Sequence, residues 1–262
     1  MNAGSLEVKG EAEVIFFDAA GTLIQLQRPV GWHYAEIARR HGLNADEERM
    51  DSAFRRVWGM QRFRRASSGA REDDDRAWWK KLALDVLRAA TSSAPGIDQE
   101  AWFEELYWHF AKPGVWFLYD DAKRCLEQLA GRFRLAIISN FDRRLWRILT
   151  DLGVAANFEQ IFLSSEIGCE KPHPRIFQRA LEGMNVAARR CVHAGDDPAK
   201  DWAGASAAGI APFRLRRPLV NLDQLAICLA RRLWKTPACQ ARACWGTYQW
   251  RDEGAAPPRG CD

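Results

Sequence analysis

The chain has 262 residues, a net charge of +4 and 47% hydrophobic residues, enough for one sizeable core plus a modest insertion. The mild charge, with basic and acidic residues interspersed, argues against a nucleic-acid partner, and no apolar run is long enough to span a bilayer. The polar segment Met1 to Glu13 lacks the pattern of a secretory signal, so a cytoplasmic protein is expected. Seven cysteines at spacings that match no zinc ligand pair are expected to be reduced thiols.

In chain order, the first element is the apolar run Val14-Ile15-Phe16-Phe17, which ends at Asp18-Ala19-Ala20-Gly21-Thr22. Its length and the turn residues after it predict a buried strand opening into a tight turn. From about Pro29 to Gly114 the pattern changes to helical periodicity at Trp32–His41, Asp46–Phe63, Ala77–Ala90 and Gln99–Phe110, with no convincing strand. The tryptophans in or just after this stretch (Trp58, Trp78, Trp79, Trp102, Trp108 and Trp116) are read first as its core, with one or two available to face a substrate.

Further apolar runs at Arg134–Ile138 and Arg190–His193 end at Ser139-Asn140 and Ala194-Gly195-Asp196-Asp197. Helical patterns at Asp121–Leu129, Arg143–Leu152, Pro174–Met184 and Asp201–Ala208 alternate with them, and a last helix is expected from about Leu222 to Trp234. Strands alternating with helices predict an α/β core with a Rossmann-like parallel sheet, and ligands of such sheets bind beyond the carboxyl ends of the strands. The three polar clusters fall at those ends. The expected division is a discontinuous core at 11–28 and 115–235, an inserted all-helical cap at 29–114, and a poorly ordered tail at 236–262.

Four clusters carry the chemistry. Asp18 is a carboxylate that can form a covalent acyl-phosphate, splitting one hard displacement into two easier ones. Gly21 permits the sharp turn and a close backbone approach, and Thr22 can reach transferring oxygens or the Asp18 carboxylate. Ser139 and Asn140, with the N–H groups at the start of the next helix, suit an anion. Lys171 can neutralise charge on nucleophile and phosphoryl group. Asp196, Asp197 and Asp201, the last expected to open the following helix, are hard carboxylates of the kind Mg²⁺ prefers.

Taken singly, each cluster has an ordinary structural explanation as a cap, a turn or a surface charge. In this order they resemble the four motifs of the haloacid dehalogenase (HAD) superfamily, with a C1 helical cap of subfamily I between the first two. Arg28-Pro29-Val30-Gly31, Tyr34-Ala35, His41-Gly42-Leu43 and the stretch Ser139 to Leu145 further resemble one subgroup of that family. The resemblance implies Mg²⁺ held by Asp18, the Ala20 backbone carbonyl, Asp196 and Asp201, with a small-molecule substrate. It implies nothing about oligomeric state.

The chain departs from the family's phosphatases at Ala20, where a second aspartate usually protonates the leaving group. Losing such a group costs on the order of 10²–10⁴ in rate. Four readings follow: a phosphatase with a good leaving group or an acid borrowed from the cap (His33 or Tyr34), a 2-haloacid dehalogenase, a phosphonate hydrolase using a cap lysine (Lys80, Lys81 or Lys112), and a catalytically weakened binding module. The acids of the fourth motif favour the metal-dependent phosphatase.

Overall fold

The computed structural model describes residues 12–61, 66–91 and 96–231. Strand β1 (Val14–Phe17) is followed by the short β2 (Ile24–Leu26) and by four helices, α1 (Val30–Arg40), α2 (Glu47–Gly59), α3 (Arg76–Ala90) and α4 (Gln99–His109). Then come β3 (Trp116–Leu118), α5 (Asp120–Leu129), β4 (Arg134–Ser139), α6 (Arg144–Asp151), β5 (Gln160–Leu163) and α7 (Ser164–Ile167). The chain continues through α8 (Pro174–Gly183), β6 (Cys191–Gly195), α9 (Gly204–Ala207), β7 (Ala211–Arg214) and α10 (Leu222–Ala230).

Five strands form one parallel sheet in the order β5-β4-β1-β6-β7. β1 sits at its centre, and all four of its residues are fully buried. Successive side chains of a strand point to opposite faces. Ile15 and Phe17 accordingly pack with α5, α6 and α10, while Val14 and Phe16 pack with α8 and α9. Helices therefore cover both faces, as a parallel sheet requires. The Asp18 backbone N–H donates to the Ala194 carbonyl (2.8 Å), which ties the end of β1 to that of β6.

Helices α1–α4 bury their own apolar cluster, which includes Tyr34, Ile37, Met50, Val86, Trp102 and Phe103. Asp46 and Asp98 cap α2 and α4 by accepting backbone N–H bonds from Arg49, and from Glu100 and Ala101. The segment before α3 is fastened to the core by backbone bonds from Ser67 to Gly168 and from Arg71 to Ser165, both 2.8 Å. That attachment sets α3 over the carboxyl ends of the strands.

Several elements differ from expectation. The antiparallel pair β2–β3 has only three residues per strand, too few for a period to register. β5 and β7 are the sheet edges, half-exposed, and β7 carries Pro212, which an edge strand tolerates. Asp201 lies inside a wide helical turn, Pro198–Ala203, rather than at its start; Asp197 caps that turn by accepting from the N–H groups of Ala199 and Lys200, both 2.9 Å. The last helix is described as far as Ala230; its expected continuation to Trp234, and the tail at 236–262, lie outside the described residues. Cys125, Cys169 and Cys191 are free and buried, whereas Cys228 is disulfide-bonded and so departs from the expectation of reduced thiols. Among the described residues no helix is long and apolar enough to cross a membrane.

Candidate active site

The turn after β1 is drawn tight by the Ala19 carbonyl, which accepts from the N–H groups of Thr22, Leu23 and Ile24. Gly21 sits at φ +90°, and a Cβ there would stand 2.6 Å from a carboxylate oxygen of Asp196. Glycine is thus required both by backbone conformation and by contact. Gly195 is required by contact too: a Cβ would overlap the Asp201 carboxyl group.

The buried Lys171 ammonium bridges two carboxylates, donating to Asp18 Oδ1 at 2.7 Å and to Asp201 Oδ1 at 2.6 Å. Ser139 Oγ lies 3.4 Å from Asp18 Oδ1. Carboxylate oxygens of Asp18, Asp196 and Asp201 fall within 4.8 Å of one another. The four expected clusters therefore converge at one edge of one sheet.

Burial works against the Lys171 ammonium, but Asp18 and then Asp201 more than offset it and hold its pKa above the ordinary value. Burial raises the Asp18 pKa, against the pull of Lys171. Asp201 is held low: burial opposes its charge, yet Lys171 and His193 win. Asp196 opens onto the cavity but is surrounded by protein, and that desolvation, followed by Asp18 and Asp201, pushes its carboxyl up to about 6. Three carboxylates thus crowd together, and the one ammonium bonds to two of them. Hard oxygen donors with surplus negative charge are the set that a divalent cation such as Mg²⁺ satisfies.

Some assigned roles need correcting. The Thr22 hydroxyl donates to Asp196 (3.2 Å) and is fully buried, so it braces an acid of the cluster rather than reaching Asp18 or a substrate oxygen. The Gly21 N–H is bonded to the Ile24 carbonyl (2.9 Å) and so does not serve as an anion donor. Asn140 clamps the Lys171 backbone in both directions, accepting from its N–H (2.6 Å) and donating to its carbonyl (3.0 Å). The N–H groups at the start of α6 do not form the expected anion site. Arg143 N–H donates to Asp74 (2.9 Å) and Arg144 N–H to Asp142 (3.1 Å). Asp197 is occupied by capping and by its ion pair with Lys200 (2.8 Å).

Three positioning residues escaped the sequence reading. His193, fully buried in β6, meets Asp201 Oδ1 at 2.9 Å; the only signal was a histidine within an apolar strand. Arg217 donates to the carbonyls of Gly21 (2.8 Å) and Thr22 (2.7 Å) while paired with Asp121 (2.9 Å). Arg144 is held by Asp142 through two bonds of 2.8 and 2.6 Å and donates to the Tyr107 carbonyl (2.9 Å).

A cavity of about 340 Å³ joins this cluster to the underside of helices α1–α4, and Ala20 faces into it. Trp58, Trp79 and Trp116 line it, which answers the question the tryptophans raised, whereas Trp102 is core and Trp108 is exposed. Neither borrowed acid is suited to the task. His33 does not line the cavity, and burial and then His109 lower its pKa to about 4, leaving it neutral at pH 7. Tyr34 lines the cavity, but burial makes its phenol a weaker acid than usual.

A sequence profile described as haloacid dehalogenase-like hydrolase matches residues 12–209. The chain belongs to that family. It is 35% identical over 206 residues to haloacid dehalogenase-like hydrolase domain-containing protein 3 of Mus musculus, covering 78% of this chain and 81% of the relative. That protein represents the subgroup which Arg28–Gly31 and Ser139–Leu145 resemble. Among solved structures, the magnesium-bound HAD-hydrolase YfnB from Bacillus subtilis superposes with a TM-score of 0.66 at 18% identity, covering 84% of this chain and 99% of that one. The defluorinating L-2-haloacid dehalogenase Rha0230 gives 0.66 at 17%, covering 84% and 95%. At such identities the two structures share the fold alone.

Proposed function

We propose that this hydrolase is a Mg²⁺-dependent phosphatase of a small phosphorylated molecule, with Asp18 as nucleophile and residues 29–114 as its cap. The observation that carries this reading is the Lys171 ammonium set between Asp18 and Asp201, with Asp196 beside them. An enzyme displacing halide from carbon has little use for the two extra acids. A phosphoryl group needs the charge compensation they recruit.

Asp18, Asp196, Asp201 and the Ala20 carbonyl would hold the ion, which when bound offsets the repulsion between carboxylate and phosphoryl oxygens. Asp18 attacks phosphorus to give an aspartyl-phosphate as the ester oxygen departs. Lys171 neutralises charge on the nucleophile, and Ser139, which lines the cavity beside Asp18, donates to a phosphoryl oxygen. Water then attacks the phosphorus of the acyl-phosphate, releasing inorganic phosphate and restoring Asp18. With alanine at position 20, solvent supplies the leaving group's proton.

The phosphonate-hydrolase alternative loses support. Lys80 and Lys81 pair with Glu100 and Asp85 on the surface, and no cap lysine lines the cavity among the described residues. Dehalogenation keeps one observation in its favour, the absence of an acid at Ala20. Hydrolysis of acetyl phosphate should require Mg²⁺ and should fall by at least about 10³-fold in Asp18→Asn. Chloride release from 2-chloropropionate in EDTA, with no phosphate ester hydrolysed, would overturn the proposal.

A further inference from the structure

The cavity has a second end that the chemistry above does not use. Among the described residues nine aromatic side chains line it, and α1–α4 contribute no charged group to the lining. The arginine at its edge, Arg144, is already neutralised by Asp142 and lies 3.8 Å from the centre of the Tyr107 ring. Three of the rings form a ladder. Phe54 and Trp58 stack at 5.7 Å with 18° between planes, and Trp58 and Trp79 at 6.1 Å with 20°. A wall built mainly of aromatic rings favours a flat π-system over a branched or saturated one.

Two further observations agree. A sugar or polyol would bring several hydroxyls against this wall, and each left unpaired costs about 1–3 kcal/mol. Ala20, facing the same space, withholds a proton from the leaving oxygen. A phenol, with a pKa of about 10, leaves as its anion far more readily than an aliphatic alcohol. A volume of about 340 Å³ falls in the range of small-molecule sites and accommodates one or two fused rings.

We infer that the substrates are phosphate monoesters of uncharged planar aromatic alcohols, the ring lying along the Phe54–Trp58–Trp79 ladder. This rests on the phosphatase reading. As the bond from Asp18 to phosphorus forms, the bond from phosphorus to the aryl oxygen breaks. The electron pair stays on that oxygen, and the phenoxide takes its proton from solvent.

The test compares kcat/KM for 2-naphthyl, phenyl, n-hexyl and acetyl phosphates with Mg²⁺, in the wild type and in Trp58→Leu. Trp58 is 41% exposed, so its replacement should fold; Phe54→Leu is a second variant. The expected result is naphthyl above phenyl by at least tenfold, hexyl lowest, and a naphthyl-to-acetyl ratio that drops at least tenfold in either variant. Trp fluorescence should also respond to naphthylmethylphosphonate, which cannot be cleaved, at concentrations where methylphosphonate has no effect. Acetyl phosphate turnover without a naphthyl preference, or variants that leave the ratio unchanged, would overturn the aromatic assignment and leave the phosphatase standing. Failure to hydrolyse any of the four would overturn both.

Discussion

The two ends of the cavity are built from opposite materials. The core end holds Asp18, Lys171, Asp196 and Asp201 at the carboxyl ends of the strands, each positioned by backbone turns and hydrogen bonds. The cap end presents rings whose positions are set by packing among α1–α4. Rigid strands can fix charges to within fractions of an ångström, which bond making requires. A wall of side chains on an inserted helical unit can change shape without disturbing that geometry. Substitutions of the charged groups at the core end should therefore affect every substrate alike, and those at the cap end should affect the choice among substrates.

The largest effect is expected where the ends meet. Asp142→Ala leaves the buried Arg144 without its counter-ion, and breaking such a pair costs about 3–5 kcal/mol. Urea denaturation should show that loss; an unchanged midpoint would mean that Arg144 finds solvent and that the seam is looser than described.

Next, Lys171→Met should lower kcat/KM by about 10²–10³-fold for acetyl and naphthyl phosphates equally. An effect confined to one ester would place Lys171 in recognition rather than chemistry. Ala20→Asp should raise turnover of n-hexyl phosphate by up to about 10²-fold with little gain on naphthyl phosphate, because only the poor leaving group lacks a proton. Equal gains on both would undo the link between Ala20 and the aromatic wall.

The smallest effect is a pH dependence of the cap. His33 and His109 meet at 2.8 Å in a buried pair, and the His33 pKa is lowered to about 4 by burial and then by His109. Between about pH 6.5 and 4 the unfolded chain binds a proton that the folded chain refuses. Stability should therefore fall as pH drops through that window and level off below it, by about 1–2 kcal/mol once the proton is shared across the pair. Comparing urea midpoints at pH 7 and pH 5 for wild type and His33→Gln measures this, with a smaller difference expected in the variant.

Much of the core end was legible in the sequence, because Asp18, Ser139 and Asp196 each follow an apolar run and strand ends gather at one edge of a parallel sheet. The central strands β1, β4 and β6 could be read for the same reason, being buried on both faces. The edge strands could not, since half-exposed runs of four residues look like loops. Arg217 and Arg144 were invisible because their partners are chosen by the fold: Arg217 reaches carbonyls 196 and 195 positions away. Thr22 was legible in place but not in direction, since the carboxylate it meets arrives from β6, 174 positions on. The tryptophans could be assigned to the helical stretch or its end, but which of them face the cavity depends on how the helices pack and where β3 lies.

The most direct test is to trap the enzyme during turnover of 2-naphthyl phosphate, quench in acid and map the phosphorylated peptide by mass spectrometry. A phosphoryl group on Asp18 that forms with Mg²⁺ and is absent in EDTA is the expected result. A turning-over enzyme that shows no adduct, an adduct on another residue, or one formed equally well in EDTA would contradict it.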